Sequence, residues 1–204
     1  MATSFAKRLI FSVALALVVL PSSPASAEWQ FKPFVGLTFG GETTYLVDFE
    51  QAAGGKNLTF GGSALWLGRI VGIEGDWGYG PGFFETGEEL VKDSSVMTFT
   101  GNVVLALPRD VAQYTLRPYF VGGFGWMRVR ATDTGSGAVF TTSSSLAAYD
   151  IGGGVTGFLT DRVGLNWDLR WFNSLGKDDT RTLTSTGTEE LSFWRATMGV
   201  AVRY

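Results

Sequence analysis

Glu74 and Asp76 stand two residues apart in an alternating segment, so both side chains leave the same face of a strand. Two carboxylates on one face can divide the roles of acid and base. Asp150, Asp168, Lys32, Arg170, Arg195 and Arg203 fall on the polar faces of their own segments. With cations this near, the carboxylates are expected to form ion pairs instead of doing proton transfer. The sequence has no histidine and no cysteine. Imidazole activation of a serine or cysteine nucleophile is thereby excluded, as are disulfides and thiolate metal sites. Gly152-Gly153-Gly154-Val155-Thr156-Gly157 matches G-x-G-x-x-G, but another alternating segment follows it where a dinucleotide site needs a helix. The eight charged residues are expected to form an interior polar network. No catalytic, cofactor or metal site and no nucleic-acid partner is expected.

The elements that must carry these residues are strands. Eight segments alternate with period two, at about 29–39, 57–67, 70–79, 96–107, 116–129, 146–159, 163–172 and 194–204. Each has one greasy face, for example Val163, Leu165, Trp167, Leu169 and Trp171, or Trp194, Ala196, Met198, Val200, Val202 and Tyr204. The 116–129 segment reads least cleanly, because Tyr119, Val121 and Met127 make its second face apolar too. Tight connections at 68–69 and 160–162 and a moderate one at 108–115 alternate with long ones at 41–56, 80–95, 131–145 and 173–190. The long ones are acidic, with Glu42, Asp48, Glu50, Glu85, Glu88, Glu89, Asp93, Asp178, Asp179, Glu189 and Glu190. They also carry Tyr45, Leu46, Phe49, Phe83 and Phe84, which either form an adhesion surface or pack over the barrel mouth.

The N-terminus has its own pattern. Lys7 and Arg8 precede the apolar run Leu9 to Leu20, and Ala25-Ser26-Ala27 offers a small-residue cleavage site. This predicts a secretory signal peptide over 1–27 and a mature domain over 28–204. Loss of Lys7 and Arg8 would move the formal charge from −3 to −5. The run is too short to span a bilayer as a helix, which takes about 20 residues. A membrane location would have to be built from strands.

Periodicity alone does not say which face points inward. The export signal, the sorting of loops by length and the bulk of the aromatics favour a greasy face toward lipid. The greasy faces contain no Lys or Arg except Arg128, at the outer end of its strand. A cation at the lipid midplane would cost about 2–4 kcal/mol.

With these residues in view, the chain resembles the small eight-stranded outer-membrane barrels of the OmpA transmembrane-domain, OmpX and Ail type. Leu116-Arg117-Pro118-Tyr119-Phe120-Val121-Gly122-Gly123-Phe124-Gly125 is similar to a Pro-Tyr, Gly-rich strand of that group. So is Asp150 to Val155 with Phe158 to Leu165 to its sixth strand, turn and seventh strand. Thr197, Gly199, Val202 and Tyr204 resemble its C-terminal signal, which implies the barrel-assembly machinery as a partner. The resemblance implies an all-β, eight-stranded antiparallel up-and-down transmembrane barrel with short periplasmic turns and long external loops. It implies the outer membrane of a Gram-negative-type bacterium, outer-membrane lipid and lipopolysaccharide as surroundings, and a monomer. The chain as read ends at the barrel, so the peptidoglycan role of OmpA itself is not expected. Arg128 and Arg130, at the external rim, are candidate lipid-phosphate contacts. The expected function is non-enzymatic: envelope integrity or surface interaction through the external loops. The alternatives are a narrow OmpW-like channel for ions or small hydrophobic solutes, and a soluble periplasmic lipocalin-like carrier.

Overall fold

The computed structural model describes residues 27–43, 56–83, 91–111, 116–133, 140–175 and 191–204, with side chains apart from those of 42–43, 91–93, 131–133 and 140–144. The expected signal segment lies outside them except for Ala27. So do Tyr45, Leu46, Phe49, Phe84 and the side chains of all the acidic loop residues named above.

The eight strands are β1 (Glu28–Thr43), β2 (Asn57–Leu67), β3 (Val71–Pro81), β4 (Val91–Ala106), β5 (Leu116–Asp133), β6 (Phe140–Phe158), β7 (Val163–Leu175) and β8 (Leu191–Arg203). Each pairs antiparallel with its neighbour in the chain, and β8 closes on β1. Closure leaves no sheet edge, so the backbone polar groups of the sheet are paired within the wall. Hydrocarbon offers no other partner for them.

Alternation along every strand sorts the side chains. Trp29, Val35, Phe60, Ile73, Val103, Phe120, Trp167, Met198 and their row-mates face outward and are exposed, Phe120 to 76% and Ile73 to 59%. The polar residues face inward and are buried. This is the reverse of a lipocalin, whose greasy face lines its interior, and it removes the soluble-carrier alternative. Aromatics pair across the outer wall. Phe99 stacks on Trp126 with centroids 4.8 Å apart, and Tyr149 meets Trp171 edge-on at 5.8 Å. Such rings suit the membrane interface, where one side of the ring is wet.

Both ends of the described barrel lie with the short turns. Tyr204 N donates to Trp29 O at 2.9 Å, and Arg203 N to Arg162 O at 2.7 Å. The β2–β3 turn is closed by Gly68 N donating to Val71 O at 2.9 Å, and the β6–β7 turn by Leu159 N donating to Val163 O at 3.0 Å. Leu159, read from the sequence as the last outward residue of its strand, is therefore part of a turn. By the resemblance given above, this is the end expected to face the periplasm.

At the other end the strands run further than the alternation shows. The β5–β6 ladder continues to Asp133↔Phe140. The connection expected over 131–145 shrinks to 134–139, and that over 80–95 to 82–90. β1 continues to Thr43 past a register shift between Phe39 and Glu42, where Gly40 takes φ +60°. That left-handed conformation is open to glycine at little cost.

Two apolar clusters lie in the interior. At the external mouth Phe83, Val96, Met127, Val129, Ala148, Phe172, Leu191 and Phe193 form one cluster. Nearer the periplasmic end Leu65, Leu67, Val104, Ala106, Tyr119 and Val121 form another. Phe83 thus packs into the mouth instead of offering an adhesion surface. The second apolar face of β5 has the same explanation: Tyr119, Val121 and Met127 point inward as plug.

Candidate functional site

Between the apolar layers lies the polar network. Lys32 enters from β1, Glu74 and Asp76 from β3, Asp150 from β6, Asp168 and Arg170 from β7 and Arg195 from β8, each at least nine-tenths buried. Alternate positions on a strand share a face, which is why Glu74 and Asp76, or Asp168 and Arg170, enter side by side.

Arg170 is the hub. Its Nη2 lies 2.7 Å from Glu74 Oε1 and its Nε 2.7 Å from Asp168 Oδ1. Its Nη1 lies 3.5 Å from Asp150 and 3.8 Å from Asp76. Lys32 Nζ reaches Glu74 Oε2 at 2.6 Å, and Arg195 Nη2 reaches Asp76 Oδ1 at 2.7 Å. Neutral groups complete the set. Ser63 donates to Glu74 at 3.2 Å, and the Tyr119 hydroxyl to Asp168 at 2.7 Å. The Asn102 amide, turned so that both ends find partners, donates to Asp150 at 2.9 Å and accepts from Arg170 at 2.8 Å.

Aromatic rings hold the cations in place. Arg195 lies between Phe34 and Phe172, its guanidinium carbon 4.8 Å and 4.7 Å from the two centroids. Lys32 Nζ stands 5.0 Å from the Tyr119 centroid. Inward glycines make room for these large groups. A Cβ on Gly78 would run into the Arg195 guanidinium, and one on Gly154 would meet the Tyr119 hydroxyl at 2.6 Å.

Each buried charge here has an opposite charge within ion-pair distance, the condition under which a low-dielectric interior tolerates ions. The carboxylates are held by cations and hydroxyl donors, with an apolar cluster on either side of them along the barrel. Glu74 and Asp76 are thus engaged by Lys32, Arg170 and Arg195 instead of facing an open cleft. Among the described residues no group of three or more Asp and Glu side chains is arranged to hold a metal ion.

Arg203 stands apart from this network. It lies at the periplasmic end, where its Nη1 is 3.4 Å from Glu28 and its Nε donates to Asp161 O at 2.8 Å. Glu28 also pairs with Arg117 at 3.0 Å and with Arg109. Sequence reasoning missed this second cluster, because Glu28 stands one residue before the first segment as read, whereas β1 begins at Glu28. The signal for Arg117 was present: it alternates with Tyr119 and Val121, which also point inward.

The remaining candidates fall where their strands carry them. Arg128 and Arg130 are exposed on the outer wall of β5, one and two outward positions beyond Trp126. Thr197 is buried, Val202 is half-buried on the outer face, and Tyr204 is 85% exposed. A Cβ on Gly199 would collide with the β1 backbone at Pro33, so that position serves the closing seam.

A family model described as the outer membrane protein beta-barrel domain matches residues 12–203. A search of curated proteins gave no match. Solved structures of similar shape include Neisserial surface protein A, with 13% identity and TM-score 0.59 over 87% of this chain and 97% of that one. OprG of Pseudomonas aeruginosa is 11% identical, with TM-score 0.53 over 88% of this chain and 97% of its own. Ail of Yersinia pestis, solved in complex with the heparin analogue sucrose octasulfate, is 12% identical, with TM-score 0.52 over 86% of this chain and 98% of its own. At these identities the likeness speaks for the fold. With the closed barrel, the outward greasy wall and the family match together, the chain belongs to the outer-membrane protein β-barrel family.

Proposed function

We propose that this is a non-catalytic surface protein of the outer membrane, in which the barrel is a sealed anchor and the activity resides in the external connections. The observation that carries this reading is the filled interior. Ion pairs across the middle, with an apolar cluster on either side of them, support a reading in which the inward groups engage one another and not a substrate or a stream of ions. Export would follow cleavage after Ala27, and the Thr197–Tyr204 segment would be read by the barrel-assembly machinery. Arg128 and Arg130, above the Trp126–Phe99 pair, would meet lipid phosphates at the external rim. The chain is proposed to act as a monomer.

The character of the external segments narrows the partner. Residues 41–56, 80–95 and 173–190 hold eleven Asp and Glu against Lys56, Lys92, Lys177 and Arg181. Ail binds a heparin analogue in its solved complex, whereas an acidic surface of this kind would repel a polyanion and suit a basic partner. Vesicles carrying the protein are expected to be retained on polylysine-coated beads and not on heparin-coated ones. Replacing Glu85, Glu88 and Glu89 by Gln should weaken retention without disturbing the barrel. Equal retention on heparin, or no effect of the three substitutions, would refute the loop reading.

A further inference from the structure

The periplasmic mouth gathers more positive charge than its structural role uses. Glu28 holds three guanidinium groups: Oε1 accepts from Arg117 at 3.0 Å, and Oε2 accepts from Arg203 at 3.4 Å and from Arg109. Arg117 is fully occupied, because its Nε and Nη2 donate to the carbonyls of Leu107, Gly68 and Arg69 at 2.8–3.2 Å. It clamps the turns. Arg109 and Arg203 are used only in part. Among the described residues, Arg109 donates through Nη2 alone, and Arg203 through Nε and Nη1.

A cavity of about 580 Å³ opens beside them, lined by Arg109, Arg117, Arg203, Phe158, Thr160 and Asp161 among others. A neighbouring hollow shares Arg109, Asp161 and Arg203 and adds Arg162. Arginines thus outnumber the anionic groups that line the two hollows. The surplus is felt at Arg109, whose pKa is held below the usual arginine range by partial burial and by the charge of Arg203. The Arg203 guanidinium lies 4.3 Å from the Phe158 ring centroid, which fixes its plane at the cavity wall. Clustering like charges costs stability unless an anion joins them. Among the described residues both guanidinium forks keep N–H groups without a partner, which match the geometry of phosphate oxygens, and the excess of cationic groups suits an anion.

The geometry points to a phosphate-binding vestibule on the periplasmic face, in which Arg109 and Arg203 hold a phosphate-bearing group free in solution or at the head of a lipid. The cavity is larger than one phosphate needs, so a pyrophosphate or a lipid headgroup fits it better than a lone ion. The site is independent of the external loops and stands whether or not their proposed role does.

The test uses the full barrel refolded into vesicles of digalactosyldiacylglycerol, whose headgroup carries no phosphate, and titrated calorimetrically with inorganic pyrophosphate at constant ionic strength. Saturable binding is expected, weakened about tenfold or more in Arg109→Gln and in Arg203→Gln, and unchanged in Arg128→Gln on the opposite rim. Arg109 lies in a turn and is more than half exposed, so its variant should fold, which circular dichroism would check. The second arm replaces a fifth of the lipid by phosphatidylglycerol with no free phosphate present. A rise in unfolding midpoint in the wild type but not in Arg109→Gln would assign the site to a lipid headgroup. No saturable pyrophosphate binding together with no lipid effect, or effects that persist in both arginine variants, would overturn the proposal.

Discussion

Arg170 connects more of the interior than any other side chain described, with four carboxylates within 4 Å. Removing one partner of a buried ion pair leaves an uncompensated charge and typically costs about 3–5 kcal/mol. Arg170→Ala is therefore expected to lower unfolding free energy by about that much in urea titrations of the vesicle-inserted protein. A loss below about 1 kcal/mol would mean that the interior is wet. The carboxylates are not equivalent. Glu74 has two cations at 2.6 and 2.7 Å, whereas Asp150 has one at 3.5 Å. Asp150→Asn should accordingly be milder than Glu74→Gln, and the reverse order would contradict the assigned pairing. That these residues face one interior was legible in the sequence, because alternation sorts faces. Which cation meets which carboxylate was not, since partners on strands far apart in the chain are set by register and barrel stagger. Arg203 shows the limit: its face was read correctly, yet its height on the barrel puts it with Glu28 at the mouth.

At the scale of the strand, the alternating signal proved readable only where one face meets lipid. β2 runs over Asn57–Leu67, as its periodicity requires. β5 and β6 continue to Asp133 and back to Phe140 through residues such as Arg130 and the run Thr141-Thr142-Ser143-Ser144-Ser145. Those stretches lack a greasy outer row, so nothing in their pattern marks them as strand, although the backbone ladder persists. The inward apolar residues were obscured for a related reason. Phe172 and Phe193 lie on the face expected to be polar, and they pair face to face at 5.2 Å as part of the external plug. The inward glycines are the matching concession of the wall. Gly154→Ala would bring its Cβ into the Trp167 carbonyl oxygen and to 2.6 Å from the Tyr119 hydroxyl, straining the wall and disturbing the hydroxyl's bond to Asp168. Overpacking of this kind costs about 1–3 kcal/mol, read as a lower urea midpoint than that of Gly101→Ala, where the nearest atom would lie 3.9 Å from the new Cβ. Equal midpoints would remove steric fit as the reason for glycine there.

For the molecule as a whole, the exposed wall and the buried charges describe a protein turned inside out relative to a soluble barrel. Val103 is 52% exposed and pairs with Ile73, beside the level of Glu74 and Asn102 inside. Val103→Arg places a cation at mid-wall and should cost about 2–4 kcal/mol in the inserted state. Urea titration in vesicles would show it, and insertion as stable as wild type would argue against a lipid-facing wall at that height. The roles proposed for the external connections, the N-terminal segment and the periplasmic vestibule are separate from this anchor, and each can fail without the anchor failing. The sealed interior is the central claim. Its most direct test is single-channel recording from the refolded barrel in a planar bilayer. A protein that inserts and stays electrically silent is the result predicted by paired charges between two apolar clusters. Discrete, reproducible openings from the wild-type protein would contradict it and make Lys32, Glu74, Asp76 and Arg170 the lining of a pore.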